Sequence, residues 1–273
     1  APGPVTELPA TPSRLEPSTG RPVEGLAPAG PIRASAYVCE AVSCLSMASH
    51  DILTGLVEVA GTNMTDVAVK RVGCLGLCAA GPLVRIPETG ELFSHVRPDA
   101  LQPIVEALGA VTPAAVRVPE SVFFDRQVRI ATEHSGRIDP ESVEDYVEAD
   151  GYAALRRVLT TMTPAEVRDE ITKSGLRGRG GAGYPTGLKW NTVAKATGSG
   201  KYVICNADEG DPGAFMDRTI LESDPHQVLE GMAIAAYAVG ASHGYVYCRG
   251  EYPLVVSRTR KAIRDATQAD CLG

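Results

Sequence analysis

Val72-Gly73-Cys74-Leu75-Gly76-Leu77-Cys78-Ala79-Ala80-Gly81-Pro82-Leu83-Val84 sets two cysteines with three residues between them among glycines, directly after a β-branched run. A second close pair, Cys39 and Cys44, has four residues between its members, and twenty-nine residues separate the two pairs. Thiolates are soft ligands, and four of them can close around zinc or around an iron-sulfur centre. The chain has seven cysteines, an odd number, and the tight pairing favours metal over disulfides. Spacing alone leaves three readings open: a 2Fe-2S cluster, zinc, or buried and disulfide-bonded cysteines. It departs from the plant-type ferredoxin run, in which three ligands cluster and one is remote.

Working outward, the pattern predicts a strand over residues 36–38, a helix over 47–59 and strands over 67–72 and 83–86. A turn at 88–90 and a helix over 98–108 complete a compact α/β module, residues 32–109. Residues 1–31 carry eight of the twenty prolines and few large apolar groups, and so read as a flexible leader. Residues 110–122 read as a linker. From residue 123 the chain predicts helices over 140–147, 152–159 and 164–173, the last with Thr163 as N-cap, followed at once by a glycine-rich loop. A strand over 202–205, a polar loop, a helix to residue 239, a strand over 245–248 and a helix over 253–266 follow. Strands alternating with helices predict a mainly parallel, Rossmann-like sheet.

The loop contains Gly178-x-Gly180-x-x-Gly183, which formally satisfies the dinucleotide fingerprint. That fingerprint needs a preceding strand, whereas here a helix leads in, so the ordinary Rossmann reading fails. The physics of the loop stands: glycines let backbone N–H groups approach phosphate oxygens, and Arg177, Arg179 and Lys189 supply countercharge. The bland alternative is a flexible turn. Asn206, Asp208, Glu209 and Asp211 follow a predicted strand, where α/β sheets bind ligands, although a solvated acidic turn fits the same residues.

Residues 72–84 closely resemble the second ligand loop of thioredoxin-like 2Fe-2S ferredoxins. The resemblance implies that Cys39, Cys44, Cys74 and Cys78 hold one 2Fe-2S cluster. Residues 175–190 and 201–218 resemble the FMN- and NADH-binding subunit shared by respiratory complex I, NAD(P)-reducing hydrogenases and NAD-dependent formate dehydrogenases. The likeness includes Asp139-Pro140-Glu141, Gly151-Tyr152-Ala153-Ala154-Leu155, Glu230-Gly231-Met232 and Arg249-Gly250-Glu251-Tyr252. It implies a thioredoxin-like domain followed by a Rossmann-like FMN-binding α/β domain over 123–273. It also implies that Gly178, Arg179, Gly180, Gly181 and Gly183 hold flavin and nucleotide, with Lys189 near the flavin and Asn206, Asp208 and Glu209 in the flavin-contacting loop. Tyr184 matches the aromatic that stacks on the NADH adenine, and Asp211 matches an acid that bonds the nicotinamide half. Asp211 stands where some relatives carry Glu, and Thr192 replaces a second aromatic.

The function implied is that of a diaphorase subunit: NAD(H), FMN and a 2Fe-2S cluster exchange electrons within a multisubunit enzyme, with other iron-sulfur and catalytic subunits as partners. No side chain is required as a general base. The order of domains resembles the hydrogenase-type and formate-dehydrogenase-type relatives most. The relatives continue beyond the point matching Gly273, so the isolated chain is expected to be incomplete, with little NADH-driven activity of its own. A non-catalytic metal-binding assembly subunit is the alternative. The net charge of −7, with interleaved signs, argues against nucleic acid, and no apolar stretch reaches membrane-spanning length. The expected location is the cytoplasm.

Overall fold

In the computed structural model the described residues are 34–62, 67–107, 116–117, 124, 126–198 and 200–272. The expected leader and most of the expected linker lie outside them. The described residues form two compact units, one running to Pro140 and including Glu222–Asp224, the other comprising Glu141–Leu221 and residues from Pro225 onward.

The first unit is built on a five-stranded sheet in the order β2 (Val67–Val72), β1 (Ala34–Cys39), β3 (Val84–Arg85), β4 (Leu92–Ser94), β5 (Val116–Arg117). Strands β1 (Ala34–Cys39) and β2 (Val67–Val72) pair in parallel, with Cys39 opposite Val72. Parallel neighbours need a crossover, which helices α1 (Val42–Leu45) and α2 (Ser49–Thr62) provide. Strands β3 (Val84–Arg85), β4 (Leu92–Ser94) and β5 (Val116–Arg117) add antiparallel. Ala36, Val38, Ile52, Leu56, Val84 and Phe93 are buried together between the sheet and its helices, joined by Ile104 of α3 (Leu101–Ala107). Ala48, at φ 60°, turns the chain left-handed and starts α2 at Ser49, two residues later than periodicity suggests. Val116–Arg117 sit inside the segment expected as linker, yet β4 pairs with them.

In the second unit, Ser142 caps α4 (Val143–Glu148) by accepting from the Asp145 N–H at 3.1 Å. Helices α5 (Ala153–Thr161) and α6 (Pro164–Ser174) follow. Thr163 and Glu166 form the reciprocal capping box that the sequence of α6 announces, and Gly175, at φ 70°, ends the helix. Helix α7 (Thr186–Lys195) is an element that the sequence pattern does not announce, because the glycines before it mask its start. Strands β6 (Tyr202–Ala207) and β7 (His243–Cys248) pair in parallel through α8 (Met216–Ser223) and α9 (Pro225–Val239), and α10 (Pro253–Gln268) follows. The single helix expected to reach residue 239 is two, broken where Pro225 starts a new first turn after Asp224. No described helix is long and apolar enough to cross a membrane.

A buried polar knot ties α4, α5 and α9 together. Tyr152, the N-cap of α5, makes no side-chain cap bond, and Glu230 supplies it: the carboxylate accepts from the Tyr152 N–H at 2.8 Å, the Leu155 N–H at 2.9 Å and the Tyr146 hydroxyl at 2.5 Å. Gly151 lets the chain pass here, since a Cβ would fall 2.4 Å from the Tyr146 carbonyl oxygen. His226 Nδ1 meets the Tyr152 hydroxyl at 2.9 Å, and the ring stacks near Tyr146. Burial pushes the His226 imidazole down from 6.5 to about 4. The folded state therefore keeps His226 neutral while the unfolded chain takes up a proton below pH 6.5, so this contribution is intact above 6.5 and is lost as pH falls toward 4. The loss is on the order of 3 kcal/mol. Denaturant melts of wild type and His226→Asn across this range should show wild type losing more stability on acidification; parallel pH profiles would contradict the assignment.

Candidate functional site

Four thiols lie on two loops of the first unit. Cys39 ends β1 and is 1% exposed, Cys44 lies in α1, Cys74 follows β2 and Cys78 opens a short 3-10 turn. Strand pairing fixes the first loop, since the Cys39 N–H donates to the Leu83 carbonyl and the Glu40 N–H to the Val72 carbonyl. The second loop curls at Gly76, whose φ of 94° suits glycine. The Cys74 and Cys78 sulfurs are 3.7 Å apart, and the Gly76 N–H points at the Cys74 sulfur at 3.4 Å.

The neighbouring Cys44 thiol pushes Cys39 up to about 12, and the same pairing lowers Cys44. Cys74 is raised, chiefly by its hydrogen bond with Cys39, and Cys78 is raised by burial. The thiols meet pairwise, and among the described residues no group of three or more His, Cys, Asp and Glu side chains is arranged as for one ion. Four thiols on two loops, with a backbone N–H aimed at sulfur, fit the donor set of a cluster that takes two thiolates per iron. The pocket is tight: a Cβ on Gly81 would lie 3.0 Å from the Cys44 sulfur and 2.4 Å from the Met47 methyl.

The glycine loop belongs to the second unit, between α6 and α7. Its base is closed by the Gly178 N–H on the Tyr184 carbonyl at 2.8 Å, the Thr186 N–H on the Leu176 carbonyl at 2.9 Å and the Arg177 guanidinium on the Gly183 carbonyl at 3.0 Å. Within this frame the N–H groups of residues 179–183 find no protein acceptor among the described residues. Arg179 and Lys189 are exposed and, among the described residues, have no carboxylate partner. Tyr184 is 48% exposed. Successive N–H groups with no acceptor among the described residues, beside two exposed cations, are an arrangement that can bind an anion.

Glycine is needed at Gly181 and Gly183 by φ values of 93° and 61°. Gly180 differs. It has no atom within 4 Å of a Cβ position and no positive φ, so the fold does not require glycine there.

Strand β6 delivers Asn206, Asp208, Glu209 and Asp211 to its carboxyl end. Asn206 Oδ1 accepts from the Asp208 N–H at 3.0 Å, which turns the chain out of the strand. The Glu209 carboxylate accepts from the Asp217 and Arg218 N–H groups at 3.0 and 3.2 Å and so caps α8, and the Arg249 guanidinium holds the Glu209 carbonyl at 2.5 Å. Glu209 thus anchors the loop that presents the exposed Asp208 and Asp211. The sequence did not assign Arg249 a role, although it opens one of the family-like stretches.

Two family models match parts of the chain. Residues 26–109 match the family model described as thioredoxin-like [2Fe-2S] ferredoxin, and residues 171–271 match the one described as Nuo51 FMN-binding domain. The HndC component of the NADP-reducing hydrogenase of Solidesulfovibrio fructosivorans is 57% identical over 54% of this chain and 30% of its own length. A component of the NADH-quinone oxidoreductase of Rhizobium meliloti is 51% identical over 50% of this chain and 32% of its own length. The chain therefore spans about a third of the curated relatives it matches. A solved NAD+-reducing [NiFe]-hydrogenase in the air-oxidized state aligns over 89% of this chain and 42% of that chain, at 24% identity and a TM-score of 0.43.

Proposed function

We propose that this chain, which joins a thioredoxin-like [2Fe-2S] ferredoxin domain to a Nuo51 FMN-binding domain, is an electron-transfer subunit that exchanges electrons between NAD(H) and other redox subunits. The observation that carries the reading is the loop at residues 179–183, whose N–H groups are unclaimed and whose Gly180 answers no demand of the fold. Bound FMN would supply the chemistry that links hydride exchange with NADH to single-electron transfer, and a 2Fe-2S cluster would supply single-electron carriage.

The chain's own residues bind and orient. Gly178, Gly180, Gly181 and Gly183 bring backbone N–H groups to phosphate oxygens, with Arg179 and Lys189 as countercharge. Tyr184 offers a flat exposed ring for the adenine, and Asp211 an acceptor for the nicotinamide amide. Asn206 and Asp208 would contact the flavin from a loop set by Glu209 and Arg249. Cys39, Cys44, Cys74 and Cys78 would hold the cluster. We assign functional domains to residues 32–109 and 123–273, a cytoplasmic location, and partners among the iron-sulfur and catalytic subunits of a hydrogenase-type, formate-dehydrogenase-type or complex I-type enzyme.

The test is anaerobic NADH titration of the complex that contains this chain, followed in the flavin absorbance and by EPR of the cluster. NADH should bleach the flavin and bring up a 2Fe-2S signal that is lost in a Cys39→Ser variant. NADH oxidation with that signal unchanged by the variant would remove these cysteines from the electron path.

A further inference from the structure

Helix α1 carries Cys44 but has no local means of capping. Its N-cap is Ala41, which makes no side-chain bond, and a four-residue helix leaves every N–H of its first turn without an intrahelical partner. The missing acceptor comes from far along the chain: Glu222 Oε2 accepts from the Val42 N–H at 3.1 Å. The next residue does the same for the other ligand loop. Ser223 Oγ accepts from the Cys74 N–H at 3.0 Å in a buried bond. The fit leaves no slack, because a Cβ on Gly73 would lie 2.5 Å from the Ser223 Cβ and 2.7 Å from its Cα.

The third residue completes the pattern. Asp224 Oδ2 meets His134 Nδ1 at 2.7 Å, and the neighbouring Ser135 hydroxyl donates to the Cys74 carbonyl at 2.8 Å. Cys74 is thus gripped at both its N–H and its C=O. Glu222, Ser223 and Asp224 are 2%, 1% and 3% exposed, and three consecutive polar residues are not buried to that degree without a use for each.

We propose that Glu222, Ser223 and Asp224 are positioning residues of the iron-sulfur site, a strap that pins both cysteine loops and sets the reduction potential of the cluster they hold. The proposal rests on Cys39, Cys44, Cys74 and Cys78 being the ligands. Outer hydrogen bonds orient metal ligands and tune the metal. Because Ser223 claims the Cys74 N–H, that amide cannot turn toward sulfur, while the Gly76 N–H can. An ionised Glu222 carboxylate would add negative charge beside α1, in the region where a bound cluster would take up its electron. Buried negative charge therefore holds the potential down.

Two measurements on the full chain test this. Glu222→Gln keeps an oxygen for the Val42 N–H and removes the charge, so the cluster's midpoint potential should become more positive with iron and sulfide content unchanged. Ser223→Ala should alter the potential and the EPR spectrum of the reduced cluster. An unchanged potential and spectrum in both cluster-loaded variants would overturn the proposal. Amide hydrogen exchange on the iron-free chain tests the strap without any cluster. The Cys74 amide should exchange roughly fivefold to tenfold faster in Ser223→Ala. The Val42 amide should be released in Glu222→Ala and protected again in Glu222→Gln. Exchange unaffected by any of the three would overturn the strap even if the cysteines bind iron, whereas a wild-type chain that binds no iron overturns the ligand assignment beneath it.

Discussion

Gly180→Val is expected to leave the fold intact and to strip the chain of flavin. Nothing lies within 4 Å of a Cβ at this position and the backbone is not left-handed, so the protein alone gives no reason for glycine. Surface changes of this kind move stability by about 0.5 kcal/mol or less. A valine would nonetheless stand over the N–H groups that the loop offers to phosphate. Losing one or two charge-assisted hydrogen bonds weakens FMN binding roughly tenfold to hundredfold. Gly187 supplies the contrast: there a Cβ would sit 2.7 Å from the Thr172 Cα and 2.8 Å from its nitrogen, so Gly187→Ala should unfold the contact between α6 and α7. FMN titration together with a thermal melt separates the two effects. Full flavin affinity in Gly180→Val would make the loop a structural turn.

The second large effect is at Cys74. Cys74→Ser should reduce bound iron to a small fraction of the wild-type content, because a serine hydroxyl does not ionise as a thiol does and the ligand is gripped at its N–H and C=O with little freedom to move. Cys271→Ser makes the same chemical change at a cysteine of the other unit and should leave the iron in place. Equal iron in the two variants, measured after anaerobic purification, would remove Cys74 from the ligand set.

Local signals explain what could be read in the sequence. The capping box of Thr163 and Glu166 spans three residues, and β2 reads from its valines alone, so both stand where the pattern puts them. The two cysteine pairs and the glycine loop are legible because chemistry requires close spacing. Short elements are not: α1 has four residues and β4 three, barely one period of either pattern, whereas β3 lies inside the strand expected over 83–86. Long-range caps are invisible for a different reason. Glu222 caps α1 across 180 residues, Glu230 caps α5 across 75 to 78, and Glu209 caps α8 across a loop. In each case the helix start lacks a competent side chain of its own, and the sequence cannot say which distant carboxylate will supply the acceptor. Asn206, Asp208, Glu209 and Asp211 fall in between: the end of β6 marks them, but only the structure shows Glu209 turned away to anchor a helix.

The most direct measurement is the metal and sulfide content of the full chain purified without oxygen. Cys39, Cys44, Cys74 and Cys78 holding one 2Fe-2S cluster predict iron and acid-labile sulfide in equal amounts, about two of each per chain. Zinc, with neither iron nor sulfide, would contradict it.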